Sequence, residues 1–94
     1  MRFGIQKLEG YTEWFKSHSP KFQAQIEKRL AKIEQEGHFG HIRDLDDGLF
    51  EIKFNNGARI YYARTGIAEI TLLLGGNKNG QSKDIKRAKN HIAG

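Results

Sequence analysis

Leu49-Phe50-Glu51-Ile52-Lys53-Phe54, then Asn55-Asn56-Gly57, then Ala58-Arg59-Ile60-Tyr61-Tyr62-Ala63 is the stretch on which the fold turns. Phe50, Ile52 and Phe54 alternate with Glu51 and Lys53, the period of two that marks a half-buried strand. Asn55-Asn56-Gly57 supplies residues that tolerate the positive φ of a tight hairpin. Arg59, Tyr61 and Ala63 then alternate with Ile60 and Tyr62 in a return strand. Thr65-Gly66 is expected to make the next turn and Ile67 to Leu74 a third strand. The near-continuous apolar run of that strand predicts a central position covered on both faces. Gly75 to Gly80 reads as a glycine-rich loop. Ser82 reads as the cap of a last helix, with Asp84 in its first turn and Ile85, Ala88 and Ile92 on one face.

Upstream of the hairpin the period changes. Arg2 to Leu8 can form a short strand. Tyr11, Trp14, Phe15 and His18 stand at i, i+3, i+4 and i+7, one face of a short helix. Ser19 suits an N-cap and Pro20 the first helical position, where its missing N–H leaves nothing unsatisfied. Phe22, Ile26, Leu30 and Ile33 form an apolar stripe that ends at Gly37, a residue suited to the left-handed position after a helix. Segregated helices and strands predict an α+β fold. An N-terminal strand and two helices pack on an antiparallel meander, followed by a short C-terminal helix, with residues 1–94 as one domain. The helical stripes are expected on one sheet face, with the opposite face polar.

The chain has 94 residues, no cysteine, and sixteen Lys and Arg against eleven Asp and Glu, a formal net charge of +5. Without cysteine, disulfide frameworks and thiolate metal sites are excluded. His18, His38, His41 and His91 show no ligand spacing with carboxylates, so no metal is expected, and no motif calls for a cofactor. Of these, His38 and His41 flank Phe39-Gly40, where a solvated or structural state is the commoner one and an acid/base role the alternative. The order Gly-Lys-Ser/Thr of a phosphate-binding P-loop is missing from the glycine-rich segment. Ser17-His18-Ser19 lacks an orienting acid or a nucleophile elbow, which argues against a serine hydrolase. No apolar run approaches the roughly 20 residues of a membrane span, and no apolar segment of a cleaved signal follows Met1. A cytoplasmic address without membrane contact is the expectation. The charge is uneven: residues 9–36 balance, residues 37–48 carry −2, and residues 77–94 carry +4. A basic end suits a polyanion or an acidic protein partner, or else forms a solvated helix face.

If Phe50, Ile52, Phe54, Ile60 and Tyr62 face the core, Glu51, Lys53, Arg59 and Tyr61 project from the other side. On one face of an antiparallel hairpin such residues lie within roughly 5–8 Å of each other. A lysine, an arginine and a tyrosine there would form a cationic, hydrogen-bonding surface suited to phosphate, with a phenol ring able to stack a base. The competing reading is an ion pair of Glu51 with Arg59 or Lys53. Backbone N–H groups near the last helix, with Lys78, could also hold an anion.

These residues resemble a known family. Leu49-Phe50-Glu51-Ile52-Lys53-Phe54 and Asn56-Gly57-Ala58-Arg59-Ile60-Tyr61-Tyr62 resemble the sheet signature of the RelE/ParE superfamily of toxins. Gly37-His38-Phe39-Gly40, Leu74-Gly75-Gly76-Asn77-Lys78 and Lys83-Asp84-Ile85-Lys86-Arg87-Ala88 resemble its phage-derived or HigB-like addiction-module killer subgroup, over roughly residues 10–93. The resemblance implies a toxin encoded beside an antitoxin, usually of the helix-turn-helix type. It also implies a metal-independent endonuclease that cuts mRNA on the ribosome by attack of a 2′-hydroxyl on the adjacent phosphate. Matched position by position, Arg59 would stabilise the phosphorane, Lys53 would transfer a proton or clamp phosphate, and Lys78 would stand at the basic position after the last strand. Tyr61, Glu51, Lys83 and Arg87 become candidate substrate contacts. The tyrosine usual in the C-terminal segment has no counterpart between Lys83 and Gly94, which leaves His91 as the candidate substitute acid. The alternative within the superfamily is a ParE-like toxin that inhibits DNA gyrase without catalysis, or an inactive binding relative. The nuclease reading requires Lys53 and Arg59 to open from neighbouring strands into one pocket.

Overall fold

The computed structural model describes residues 2–93. The chain runs through β1 (Gly4–Lys7), α1 (Glu9–Lys16), α2 (Pro20–Glu36), β2 (Ile42–Asp44), β3 (Leu49–Lys53), β4 (Ala58–Gly66), β5 (Glu69–Asn77) and α3 (Gln81–Ala93). The five strands form one sheet in the order β1-β5-β4-β3-β2. The first pairs parallel to β5, and every other neighbour is antiparallel. The strand read from its apolar run, β5, is therefore interior, with partners on both edges.

Local signals explain α2. The Ser19 hydroxyl accepts from the Phe22 N–H at 3.3 Å, Pro20 opens the helix, and Gly37 closes it at φ 69°. Phe22, Ile26, Leu30 and Ile33 are all buried, against Ile52, Ile60, Tyr62, Ile70 and Leu72 of the sheet. Fully burying each of the aliphatic side chains contributes about 1.5–3 kcal/mol, so the stripe fixes which sheet face the two N-terminal helices cover.

Three elements depart from the sequence expectations. Ile42–Asp44 forms an edge strand that has too few residues for an alternation to be visible. The β4–β5 turn falls at Ile67-Ala68, because Gly66 stays in register with Glu69; Thr65 and Gly66 are strand residues, and the turn leaves Ile67 93% exposed. The expected loop at Gly75–Asn77 is instead the end of β5. Asn77 rather than Ser82 caps the turn that follows, its side-chain oxygen accepting from the N–H groups of Asn79 and Gly80.

The second sheet face is not the open polar surface that alternation suggested. There α3 lies across it, and Leu49, Tyr61, Ala63, Leu73, Leu74 and Ala88 form a second apolar cluster beneath the helix. A bulge between the pairs Tyr61–Leu74 and Tyr62–Leu72 leaves Leu73 unpaired, and both Leu73 and Leu74 join that cluster.

Candidate functional site

Strand register builds the site. Lys53 on β3 pairs with Arg59 on β4, and Arg59 pairs with Gly76 on β5. Side chains of directly paired residues leave the sheet on the same side, so those of Lys53 and Arg59 both leave on the face that α3 crosses. Gly76 contributes no side chain to this row. A Cβ there would collide with the Asp84 carboxylate, which reaches down from α3 into that place. Lysine, arginine and carboxylate thus stand side by side across three strands.

The backbone of Lys53 is held on both sides. Its N–H donates to the His41 carbonyl at 2.9 Å, and its own carbonyl accepts from Arg29 at 2.8 Å. Lys78 lies at the rim: its N–H donates to the Gly57 carbonyl at 2.9 Å, and its stem runs over Gly57, whose φ of 93° makes the hairpin turn.

A second row runs beside the first. Arg43 of β2 pairs with Glu51 of β3, which pairs with Tyr61 of β4. Glu51 is 0% exposed, and three donors converge on it. Gln81, the first residue of α3, donates to its Oε1 at 2.8 Å. Arg59 Nε stands 3.6 Å from that same oxygen and Arg43 Nε 2.9 Å from Oε2. Neither arginine Nε makes an aligned hydrogen bond there, so these are charge contacts; Arg59 also donates to the Ala58 carbonyl at 3.0 Å. A buried carboxylate needs such compensation, since desolvation strongly penalises an unpaired charge.

Electrostatics single out Asp84. Burial holds its carboxyl above the usual carboxylate range, against the opposing pull of Arg87 and Lys83. Arg87 is a loose neighbour at 4.0 Å. Tyr61 is pushed up to about 12, first by burial and then by the charges of Glu51 and Asp84. Its hydroxyl is buried with no hydrogen-bond partner among the described residues.

Several sequence expectations need correction. Tyr61 is 0% exposed within the second cluster, so its ring offers no stacking surface while α3 is in place. Glu51 is a buried counter-charge and cannot touch a substrate directly. Arg59 is only 9% exposed, so it shares a face with Lys53 but does not open into a pocket. The cause is the same in each case: α3 covers the face that alternation alone leaves free. Lys83 and Arg87 are on exposed parts of α3. His91 is exposed in the last turn of α3, seven residues beyond Asp84 and so about 10 Å further along the axis; it does not join the row. Sequence reasoning missed Arg43, Gln81 and Asp84 as members of the cluster. A three-residue strand hid the first, and the other two needed the docking of α3. Among the described residues no His, Asp and Glu side chains group as a metal site.

The fold defined by this sheet and its helices is that of the RelE toxins. A mutant of the E. coli toxin RelE in the free state superposes with a TM-score of 0.69 over 93% of this chain and 98% of that one, at 15% identity. RelE in the intact E. coli RelBE toxin–antitoxin complex gives 0.66 over 80% and 95%, at 13% identity. Within that fold class the chain belongs to the family described as phage derived protein Gp49-like, whose sequence model matches residues 13–93. An uncharacterized protein of Haemophilus influenzae is 35% identical over 92 residues, 95% of this chain and 92% of that protein. The resemblance to the RelE/ParE superfamily read from the hairpin agrees with both findings.

Proposed function

We propose that this protein is the toxin of a toxin–antitoxin pair and an endoribonuclease that cuts mRNA on the ribosome. The observation that carries the reading is the register pairing of Lys53 with Arg59, with Lys78 at the adjoining rim. Cleavage by an internal 2′-hydroxyl needs charge stabilisation at phosphorus and proton transfer at two oxygens. Arg59 supplies the first, since a guanidinium remains charged and donates two hydrogen bonds to a phosphate in parallel. Lys53 serves proton transfer and Lys78 draws the backbone in. Arg59 is nearly closed off, so the pocket this reading requires opens only when the Gln81 side chain swings off Glu51, with the α3 backbone and Asp84 staying docked.

The partner is an antitoxin, here taken to be of helix-turn-helix type, as the family resemblance implies. The solved RelBE complex supports a partner of the antitoxin class for this fold. The net charge of residues 77–94 favours an acidic segment on that partner.

The buried Arg59, paired with Glu51, also favours a second reading: a ParE-like toxin that inhibits gyrase by contact alone. Induction in a bacterium followed by primer extension on cellular mRNA separates the two. Cuts within codons that vanish in Arg59→Ala support the nuclease. Intact mRNA with arrested replication supports the gyrase inhibitor. Growth rescue and co-purification with the neighbouring reading frame's product test the antitoxin.

A further inference from the structure

The Lys53–Arg59–Gly76 row has a carboxylate where its third side chain would be. Glycine at position 76 leaves room for it, and α3 delivers Asp84 into that room. Glu51, the other acid in the cluster, is already committed to Arg43, Arg59 and Gln81 and is fully buried. Asp84 retains an exposed edge, with 17% of its side chain accessible, and its only ion-pair partner among the described residues is Arg87 at 4.0 Å.

Building on the nuclease reading above, we propose that Asp84 is the general base of the site. Its carboxylate, standing over Gly76, the register partner of Arg59, accepts the 2′-hydroxyl proton, while the Lys53 ammonium at the other end of the row gives a proton to the departing 5′ oxygen. The O2′–P bond forms as the P–O5′ bond breaks, leaving a 2′,3′-cyclic phosphate and a 5′-hydroxyl. One proton ends on Asp84 and one leaves Lys53, so the two groups exchange protonation states and solvent resets them.

Spacing supports these roles. Adjacent strands stand about 4.8 Å apart, so the Lys53 and Gly76 backbones at the two ends of the row are about 10 Å apart, the width over which their overlying functional groups are set out. An in-line phosphorane with attacking and leaving oxygens opposite one another, each in a hydrogen bond of about 2.7 Å, spans such a gap with the guanidinium at its middle. The assignment also removes a difficulty in using lysine as the base. A lysine base must be deprotonated near neutral pH, far below its ordinary pKa of about 10.4, whereas a lysine acid needs no such tuning. The charges acting on Asp84 are Arg87 and Lys83 of its own helix, and on the sheet side Tyr61 of β4 feels its charge. β5 presents only the Gly76 backbone beneath it.

The test uses the full-length protein on ribosomes programmed with a defined mRNA, with ends mapped and single-turnover rates measured across pH. Asp84→Asn should cut about 10²–10⁴-fold more slowly than wild type and lose the acid limb of the pH profile. Asp84→Glu should keep measurable cutting. A substrate with sulfur replacing the 5′ leaving oxygen needs no acid, so it should restore Lys53→Ala and leave Asp84→Asn slow. Cutting by Asp84→Asn within threefold of wild type, or its rescue by the sulfur substrate, overturns the assignment and leaves the nuclease standing. Wild type that leaves mRNA intact removes the nuclease reading and this role together. Circular dichroism checks folding; if Asp84→Asn is unfolded, Asp84→Glu decides, an unchanged acid limb overturning the role and a displaced one supporting it.

Discussion

Glu51 of β3 holds the Arg59 guanidinium of β4 at 3.6 Å through Oε1, the oxygen that also accepts from Gln81 of α3. One buried carboxylate therefore joins the central hairpin to the C-terminal helix. Glu51→Gln keeps the shape and an acceptor for Gln81 but leaves Arg59 buried without a counter-charge. Removing one partner of a buried pair destabilises by about 3 kcal/mol. Urea unfolding should show a lower midpoint with unchanged slope, and Glu51→Gln combined with Arg59→Gln should recover part of the loss. Equal stability of Glu51→Gln and wild type would mean that solvent already screens the pair.

Cleavage assays should order Arg59 and Lys78 by position. Arg59→Ala removes the donor nearest the developing charge and should reduce cutting about 10²–10³-fold. Lys78→Ala acts at an exposed rim, so its effect should be smaller and should fade at high salt, where surface charges are screened. A salt-insensitive loss in Lys78→Ala, as deep as that of Arg59→Ala, would move Lys78 from the rim into the reaction itself.

Two adjacent glycines separate stability from chemistry. A Cβ on Gly75 meets the Trp14 ring on one sheet face, and a Cβ on Gly76 meets the Asp84 carboxylate on the other. Trp14 is a large ring packed against Tyr11 and Phe22 and yields little, so Gly75→Ala should destabilise by about 1–3 kcal/mol through overpacking. The Asp84 side chain can swing outward. Gly76→Ala should therefore melt closer to wild type, yet cut mRNA as poorly as Asp84→Asn. Thermal melts and cleavage rates on the same two variants check the contrast.

The secure parts of the sequence reading were those in which a local rule and the core agreed. Ser19, Pro20 and Gly37 mark the ends of a helix whose stripe is buried, and Gly57 marks the hairpin. Ile42-Arg43-Asp44 gave no such agreement, because three residues carry no period and their pairing with Ile52, Glu51 and Phe50 is long-range. Thr65-Gly66 has the composition of a turn, yet Gly66 stays in the ladder and exposed Ile67 takes the turn. At the site, alternation places Glu51, Lys53, Arg59 and Tyr61 on one face, as the register does. It could not show that α3 docks over that face, because Ile85 and Ala88 fit an amphipathic helix without saying what they pack on. The burial of Arg59 and Tyr61 and the arrival of Asp84 follow from that docking.

Three buried tyrosines predict the alkaline limit of the fold. Burial pushes Tyr61 and Tyr62 up to about 12 from the ordinary 10.0, and pushes Tyr11 up as well. Between pH 10 and 12 the unfolded chain releases these protons while the native protein keeps them, so the unfolded state binds fewer. Stability then falls with rising pH, and it is fully present below pH 10. Phenolate absorbance and circular dichroism should change together in that window. Tyr61→Phe should make the fall less steep; phenolate appearing near pH 10 in the still-folded protein would refute the sealed environment.

Arg29 decides how firmly Lys53 is held. Its guanidinium donates to the Phe39 carbonyl at 3.2 Å, the Lys53 carbonyl at 2.8 Å and the His41 carbonyl at 2.9 Å, while lying 4.9 Å from the centre of the Phe54 ring. One planar fork thus fastens α2 to the segment leading into β2 and to the end of β3. A Cβ on Gly40 would crowd it, approaching Nε to 2.9 Å. Arg29→Lys keeps a positive charge but offers one compact ammonium in place of a fork, so it cannot reach all three carbonyls. Arg29→Ala should destabilise by about 3 kcal/mol, given the strength of charge-assisted hydrogen bonds, and Arg29→Lys should recover less than half of that. Hydrogen exchange offers the sharper check: protection should fall first at the Lys53 N–H, which donates to His41, and at the β2–β3 ladder, while α2 retains its own. Uniform loss across the chain would instead mean that Arg29 contributes to global stability without specifically anchoring the edge on which Lys53 stands.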